Sequence, residues 1–295
     1  MRFKRQTTHP MKKYLLGLVS LSAMAFAAQP VVNFHNHLGI QMWSLRETAK
    51  ESTTAALDLV KQYGLKEVET AGLGTLTAEQ YKAELTSRGL TAIGMHAGYD
   101  LLQTDLPNLI KTAHTLGAKY IVCPWIPHGK EGFTEELAHQ VARDFNVWGK
   151  TCREAGLQLG WHPHGFEFVA SKAGHGETMF DIVARETDPA NLCFEMDVFW
   201  VFHAGQDPVK LLNKYSTRWV LMHVKDIRKG AVTGLSTGSA PPTDNVPVGN
   251  GQIDWPAVLR TAQSVGLQYY FIEDETPAPL QCIPASLKYL RALKL

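Results

Sequence analysis

The chain has 295 residues, a length that suits one large α/β barrel or two ordinary domains. Hydrophobic residues make up 45% and charged residues 19%, the balance of a soluble globular protein. A formal net charge of +1, with no basic run in the body of the chain, argues against a nucleic-acid partner held by general phosphate attraction.

The first stretch reads as an address. Lys12 and Lys13 precede an apolar run from Tyr14 to Phe26, and Ala25-Phe26-Ala27 offers small residues at the two positions a signal peptidase reads. A signal peptide over 1–27 and a mature domain over 28–295, periplasmic or secreted, are expected. The run is short for a membrane span, a retained anchor being the alternative reading. Four cysteines in an oxidising compartment permit disulfides. Cys123 and Cys193 fall in predicted strands, Cys152 and Cys282 in predicted helices, at spacings that match no metal ribbon, so buried free thiols are expected.

From Leu38 onward short apolar runs alternate with amphipathic stretches. Leu38 to Met42 is the first predicted strand, and Thr53 to Tyr63, with Ala56, Leu59 and Val60 at helical spacing, is a helix stopped by Gly64. Glu67 to Thr70 is the second strand. Thr77 opens a helix with Gln80 three residues on, a capping-box pattern, and Gly89 closes it. Leu90 to His96 is the third strand, Leu106 to Leu116 a helix and Tyr120 to Pro124 the fourth strand. A long helix from Thr134 to Ala155 carries Leu137, Val141, Phe145 and Trp148 on one face. Gln158 to His162 is the fifth strand, followed by a helix over Glu177 to Glu186. Leu192 to Asp197 is the sixth strand, with Pro208 to Tyr215 helical after it, and Trp219 to His223 is the seventh. A long polar loop, Arg228 to Gly251, precedes a helix over Asp254 to Val265; Tyr269 to Glu273 is the eighth strand and Pro284 to Leu293 the last helix. Eight alternating strand–helix pairs without a linker predict parallel pairing and one closed (β/α)₈ TIM barrel. An open doubly wound sheet would carry a glycine-rich phosphate turn after its first strand, where QMWSLRE carries none.

In such a barrel the C-terminal strand ends build the site. Those ends offer Gln41 and Trp43, Glu69, His96, Trp125, His162 and His164, Asp197, His223 with Lys225, and Glu273. Burying that many ionisable groups without partners would cost several kcal/mol each, on the order of a domain's whole stability. A divalent cation with mixed N/O preference, such as Mn²⁺, Zn²⁺, Mg²⁺ or Co²⁺, reconciles them. Asp197, His223 and Glu273 come from consecutive strands, and His162 completes an arc of four ligands. Pro163 ends the fifth strand, leaving His164 in the loop, beside the cation or at the substrate. Trp43, Trp125, Trp161, Phe166, Phe199 and Trp200 crowd the same mouth, and about half of them are expected to face a sugar ring.

LGIQMWSLRE at 38–47, VETAG at 68–72, GMHAGYD at 94–100, WHPHGFEF at 161–168, FEMDVFWVFHAGQDPVKLL at 194–212, HVKD at 223–226, VGNGQIDWPAVL at 248–259 and FIEDE at 271–275 together resemble the sugar phosphate isomerase/epimerase family with the xylose-isomerase-like TIM barrel. The resemblance spans nearly all of 28–295 and implies a metal-dependent enzyme acting on a carbohydrate. Asp197, His223 and Glu273 match three metal positions of its keto-sugar epimerases, whereas His162 stands where the first glutamate would be. The implied chemistry is proton abstraction next to a carbonyl through an enediolate, as an isomerase or epimerase or, alternatively, as a lyase or dehydratase acting on a 3-keto-glycoside or inosose. Glu273 is assigned as ligand and base, with His164 or Glu69 as partner acid. Lys225 binds a substrate oxygen or bridges a neighbouring carboxylate; Glu167 contacts substrate, supports a ligand or is a solvated loop residue. A small carbohydrate is the expected partner, with no nucleic acid and no stable membrane insertion, and a homo-oligomer is left open. The VGNG segment, Val248 to Gly251, is expected at the rim of the site or at a dimer contact. An endonuclease-like phosphodiesterase would need a basic face the charge does not supply, and a non-catalytic sugar-binding module would not need Asp197, His223 and Glu273 intact.

Overall fold

Eight short parallel strands close into a barrel: β1 (Leu38–Gln41), β2 (Glu67–Thr70), β3 (Thr91–His96), β4 (Tyr120–Cys123), β5 (Gln158–Trp161), β6 (Leu192–Asp197), β7 (Trp219–Val224) and β8 (Tyr269–Ile272). Each pairs with its neighbours in sequence, and β8 returns to β1 with Ile272 beside Ile40. This computed structural model describes Met1, residues 33–172 and residues 174–295; the expected signal segment lies, Met1 apart, outside the described residues. Among the described residues no helix is long and apolar enough to cross a membrane.

The strands are buried on both faces, which is why they read as continuous apolar runs rather than alternating ones. Helices form the outer layer: α1 (Arg46–Glu51), α2 (Thr53–Gln62), α3 (Ala78–Arg88), α4 (Tyr99–Leu116), α5 (Glu135–Glu154), α6 (Met179–Glu186), α7 (Val198–His203), α8 (Pro208–Lys214), α9 (Trp255–Ser264) and α10 (Pro279–Ala292). The Thr77–Gln80 capping box forms in both directions at the head of α3, and Gly89 ends it with φ of 70°. Thr134 caps α5 by accepting from Leu137 N, and Val141, Phe145 and Trp148 turn into the core.

Five stretches differ from expectation. α4 starts at Tyr99 rather than Leu106, because the break imposed by Pro107 appears as a kink at Asp105 within a longer helix. α10 starts at Pro279, a first-turn proline, five residues before the expected Pro284. The short α1 and α7 were not expected; VFWVFH has no polar face to give a helical period. Inside the expected loop, Asn245–Val246 pairs antiparallel with Asp226–Ile227, and the Asp226 carboxylate accepts from Gly249 N at 2.9 Å, Gly251 N at 3.1 Å and Trp255 Nε1 at 2.9 Å. The VGNG segment is therefore tied to Asp226. Cys123, Cys152 and Cys193 are buried, Cys282 is half-buried, and all four are free.

Close approach of α5 to the start of β6 depends on Gly149. A Cβ there would sit 2.1 Å from the Asn191 carbonyl oxygen. Alanine would gain about 1 kcal/mol of helix propensity but force that contact apart at about 1–3 kcal/mol. Gly149→Ala is expected to lower the urea midpoint; an unchanged or higher midpoint would contradict the packing.

Candidate active site

Strand register brings the candidate residues together. Asp197 on β6 lies beside His223 on β7, and His223 lies beside Phe271, two residues before Glu273. His162 follows β5, its N–H donating to Cys123 O at 3.0 Å. The result is a wholly buried group of four donor atoms, all within 4.8 Å of one another. His162 Nε2 is 3.0 Å from His223 Nδ1 and 3.6 Å from Asp197 Oδ2; His223 Nδ1 is 3.3 Å from Glu273 Oε2 and 3.8 Å from Asp197 Oδ2. Asp197 Oδ1 accepts from Trp200 N at 3.0 Å and so caps α7, but its Oδ2 has no hydrogen-bond partner among the described residues. An orphaned buried carboxylate oxygen, a second carboxylate and two inward imidazole nitrogens are the donor set a divalent cation takes. These residues fit the expected metal.

Electrostatics point the same way. Burial opposes ionisation of Asp197 and Glu273, but Lys225 and the neighbouring imidazoles together overcome it and hold both below the usual carboxylate range, Glu273 to about 2. Burial likewise opposes charge on His223, yet the Glu195 and Glu273 carboxylates raise it well above the ordinary histidine value. Lys225 is 2% exposed. It bridges Glu275 and, at 3.2 Å, Glu273, and sits 5.1 Å over the rings of Phe199 and Trp200. The structure thus places it in the carboxylate bridge, behind the cavity wall rather than at the substrate.

A cavity of about 440 Å³ opens beside the cluster. Trp43, Trp125 and Trp200 wall it, with His96, His162, His164, Glu273 and Glu275 supplying polar atoms, and among the described residues no lysine or arginine lines it. Trp161, Phe166 and Phe199 are instead packed in the core. Trp43 Nε1 donates to Glu275 Oε1 at 2.8 Å, which fixes the indole at the rim. The ring of His164 lies 5.3 Å from that of Trp125 and 5.5 Å from that of Trp200, and burial followed by His162 holds it well below the ordinary histidine value, so it is neutral.

Two expected residues lie elsewhere. Glu167, expected at substrate, behind a ligand or as a solvated loop residue, accepts from His164 N with both carboxylate oxygens at 3.0 and 3.2 Å and closes the turn after β5. Burial lifts it to about 8 against the backbone N–H groups that favour its charge. Glu69, expected as an acid, is wholly buried beneath the cluster, its Oε2 2.7 Å from His223 Nε2. It shares that inner layer with His96 and with Glu195, which sequence reading passed over. In the layer, burial opposes charge on His96, but Glu69 and Glu195 lift it to about 9. The signal for Glu195 was a glutamate two residues before Asp197, hence on the same inward face of β6.

A parallel eight-stranded barrel with carboxylates and imidazoles gathered at the ends of four consecutive strands, inside a tryptophan-walled cavity, defines a TIM barrel with a candidate divalent-metal centre. The chain belongs to the xylose isomerase-like TIM barrel family, whose model matches residues 57–293. It is 25% identical over 194 residues to an inosose dehydratase of Lacticaseibacillus casei, a match covering 58% of this chain and 62% of that relative, so less than two thirds of the relative's length is spanned. Its fold is similar to a sugar phosphate isomerase/epimerase from Parabacteroides distasonis, with TM-score 0.71, 24% identity and coverage of 87% of this chain and 98% of that one. It is also similar to the IolI protein crystallised with a zinc atom, with TM-score 0.63, 15% identity and coverage of 86% and 96%.

Proposed function

We propose that the chain is a divalent-metal-dependent enzyme that removes a proton next to the carbonyl of an unphosphorylated polyhydroxylated ketone and expels a hydroxyl or alkoxyl group from the adjoining carbon. The observation that carries this reading is the set of four converging donors, with the orphaned Asp197 oxygen, at the wall of a tryptophan-lined cavity. His162, Asp197, His223 and Glu273 would hold the cation, which supplies Lewis acidity for the charge that develops on the substrate oxygen. Glu273 reaches both the cluster and the cavity and is kept ionised at neutral pH, which suits the base. His96, lifted to about 9, stands in the same wall as the candidate proton donor to the leaving group, with the neutral His164 beside it. A lining without lysine or arginine among the described residues favours a neutral substrate.

Elimination needs one base and one acid, whereas epimerisation needs bases on both faces of the sugar. Here the remaining cavity carboxylate, Glu275, is engaged by Trp43 and Lys225, and the fifth strand ends in His162 rather than glutamate. The inosose dehydratase relative supports the same preference. Isomerisation or epimerisation is the second reading, favoured by the imidazoles of His96 and His164 in the wall, either of which could return a proton. Metal-loaded protein should be incubated in D₂O with keto-inositols and 3-keto-glycosides and followed by mass spectrometry. Loss of water or of the aglycone is expected, abolished by EDTA. Deuterium uptake without loss would favour the second reading, and neither result with any substrate would refute proton abstraction.

A further inference from the structure

Glu69 and Glu195 are both wholly buried, and each directly follows a shift in strand register, between Val68 and Glu69 on β2 and between Phe194 and Glu195 on β6. Such irregularities re-aim side chains next to active sites. Here they bring two carboxylates onto the same pair of imidazoles. Glu69 Oε2 lies 2.7 Å from His223 Nε2 and 3.0 Å from His96 Nε2, and Glu195 Oε2 lies 3.2 Å from each. Gln41 Nε2 also donates to Glu69 Oε2 at 2.7 Å and stands 3.2 Å from His96 Nε2, which Glu69 Oε2 approaches more closely. Room for Glu69 is made by Gly94, where a Cβ would stand 2.8 Å from Glu69 Oε1.

A ring nitrogen that faces two carboxylate oxygens at such distances carries the proton, because carboxylates only accept. The two rings then have defined tasks. His223 Nδ1 faces His162, Asp197 and Glu273, whereas His96 reaches the cavity wall. We propose that Glu69 and Glu195 form a positioning pair that accepts the Nε2 protons of His223 and His96, so that His223 offers its Nδ1 lone pair to the cation and His96 is held in the wall of the substrate cavity. This rests on the cation site proposed above. The same four groups could be read as a second cation site, but His223 could serve both sites only by losing both ring protons.

The test uses Co²⁺ as the probe, with its dissociation constant measured by chelator competition and its visible absorption spectrum recorded, without substrate. Wild type should bind one Co²⁺ per chain. Glu69→Gln and Glu195→Gln should each weaken binding about 10–100-fold, Glu69 the more because its contact is shorter, with a changed spectrum and an unchanged far-UV circular dichroism. Glu69→Asp keeps the charge but withdraws the oxygen, and should weaken binding as well. His96→Gln should leave Co²⁺ affinity within a few-fold, since His96 does not face the ion. Unchanged affinity in both glutamine variants or in Glu69→Asp would overturn the pair while leaving the cation site standing. Two Co²⁺ per wild-type chain, the second lost in Glu195→Gln, would make the inner layer a metal site instead. No Co²⁺ bound to wild type would overturn both readings.

Discussion

Asp197→Asn is expected to leave a folded barrel that no longer retains its divalent cation, with affinity lowered by more than about 100-fold, beyond the range seen when only a supporting residue is lost. Asparagine keeps the oxygen that accepts from Trp200 N, so the cap on α7 survives and the roughly 1 kcal/mol cost of an uncapped helix is avoided. What disappears is the charge on the second oxygen, the buried atom that has no other partner. Metal analysis after dialysis checks the loss directly. Thermal melts supply an independent readout: a cation at 100 times its dissociation constant stabilises the fold by about 2.7 kcal/mol, so added metal should raise the wild-type midpoint and leave the variant's unmoved. Full metal content in Asp197→Asn would mean that the ion binds elsewhere.

The outer half of this site was legible in the sequence because barrel topology does the sorting. Once eight parallel strands were recognised, their C-terminal ends had to share one mouth, and His162, Asp197, His223 and Glu273 followed as neighbours. The inner half was not legible. Glu195 sits mid-strand, where a chain-order reading notes only the end, and the register shifts that aim Glu69 and Glu195 at the same imidazoles leave no mark in composition or period. Lys225 was placed on the right strand, but its choice between substrate and carboxylates depends on Glu275, which lies beyond the end of β8 and was assigned no role. Glu167 was left open for a related reason: a glutamate three residues after a site histidine suits a functional role, and the same spacing lets it close its own turn on His164 N. The aromatic α7 was invisible because an all-apolar segment has no face to reveal its period.

Lys225→Met should cost the metal-free protein about 3–5 kcal/mol, because it removes a buried ammonium from among Asp197, Glu273 and Glu275 and leaves only the neighbouring imidazoles to compensate their charges. Methionine can still pack on the rings of Phe199 and Trp200, so the loss is one of charge rather than volume. For a domain of this size the melting midpoint in EDTA should fall by roughly 6–20 °C. A bound divalent cation supplies positive charge beside the same Asp197 and Glu273 oxygens, so added metal should recover part of the deficit. The deficit should also depend on pH with a definite sign. Lys225 helps to hold Glu273 at about 2, below its ordinary 4.5, so the stability it lends through that carboxylate is complete above 4.5 and is lost as pH falls toward 2. Wild type and variant should therefore differ most near neutrality and converge in acid. A difference that stayed constant down to pH 2 would mean that Lys225 acts through packing, and the carboxylate cluster would then need another source of compensating charge.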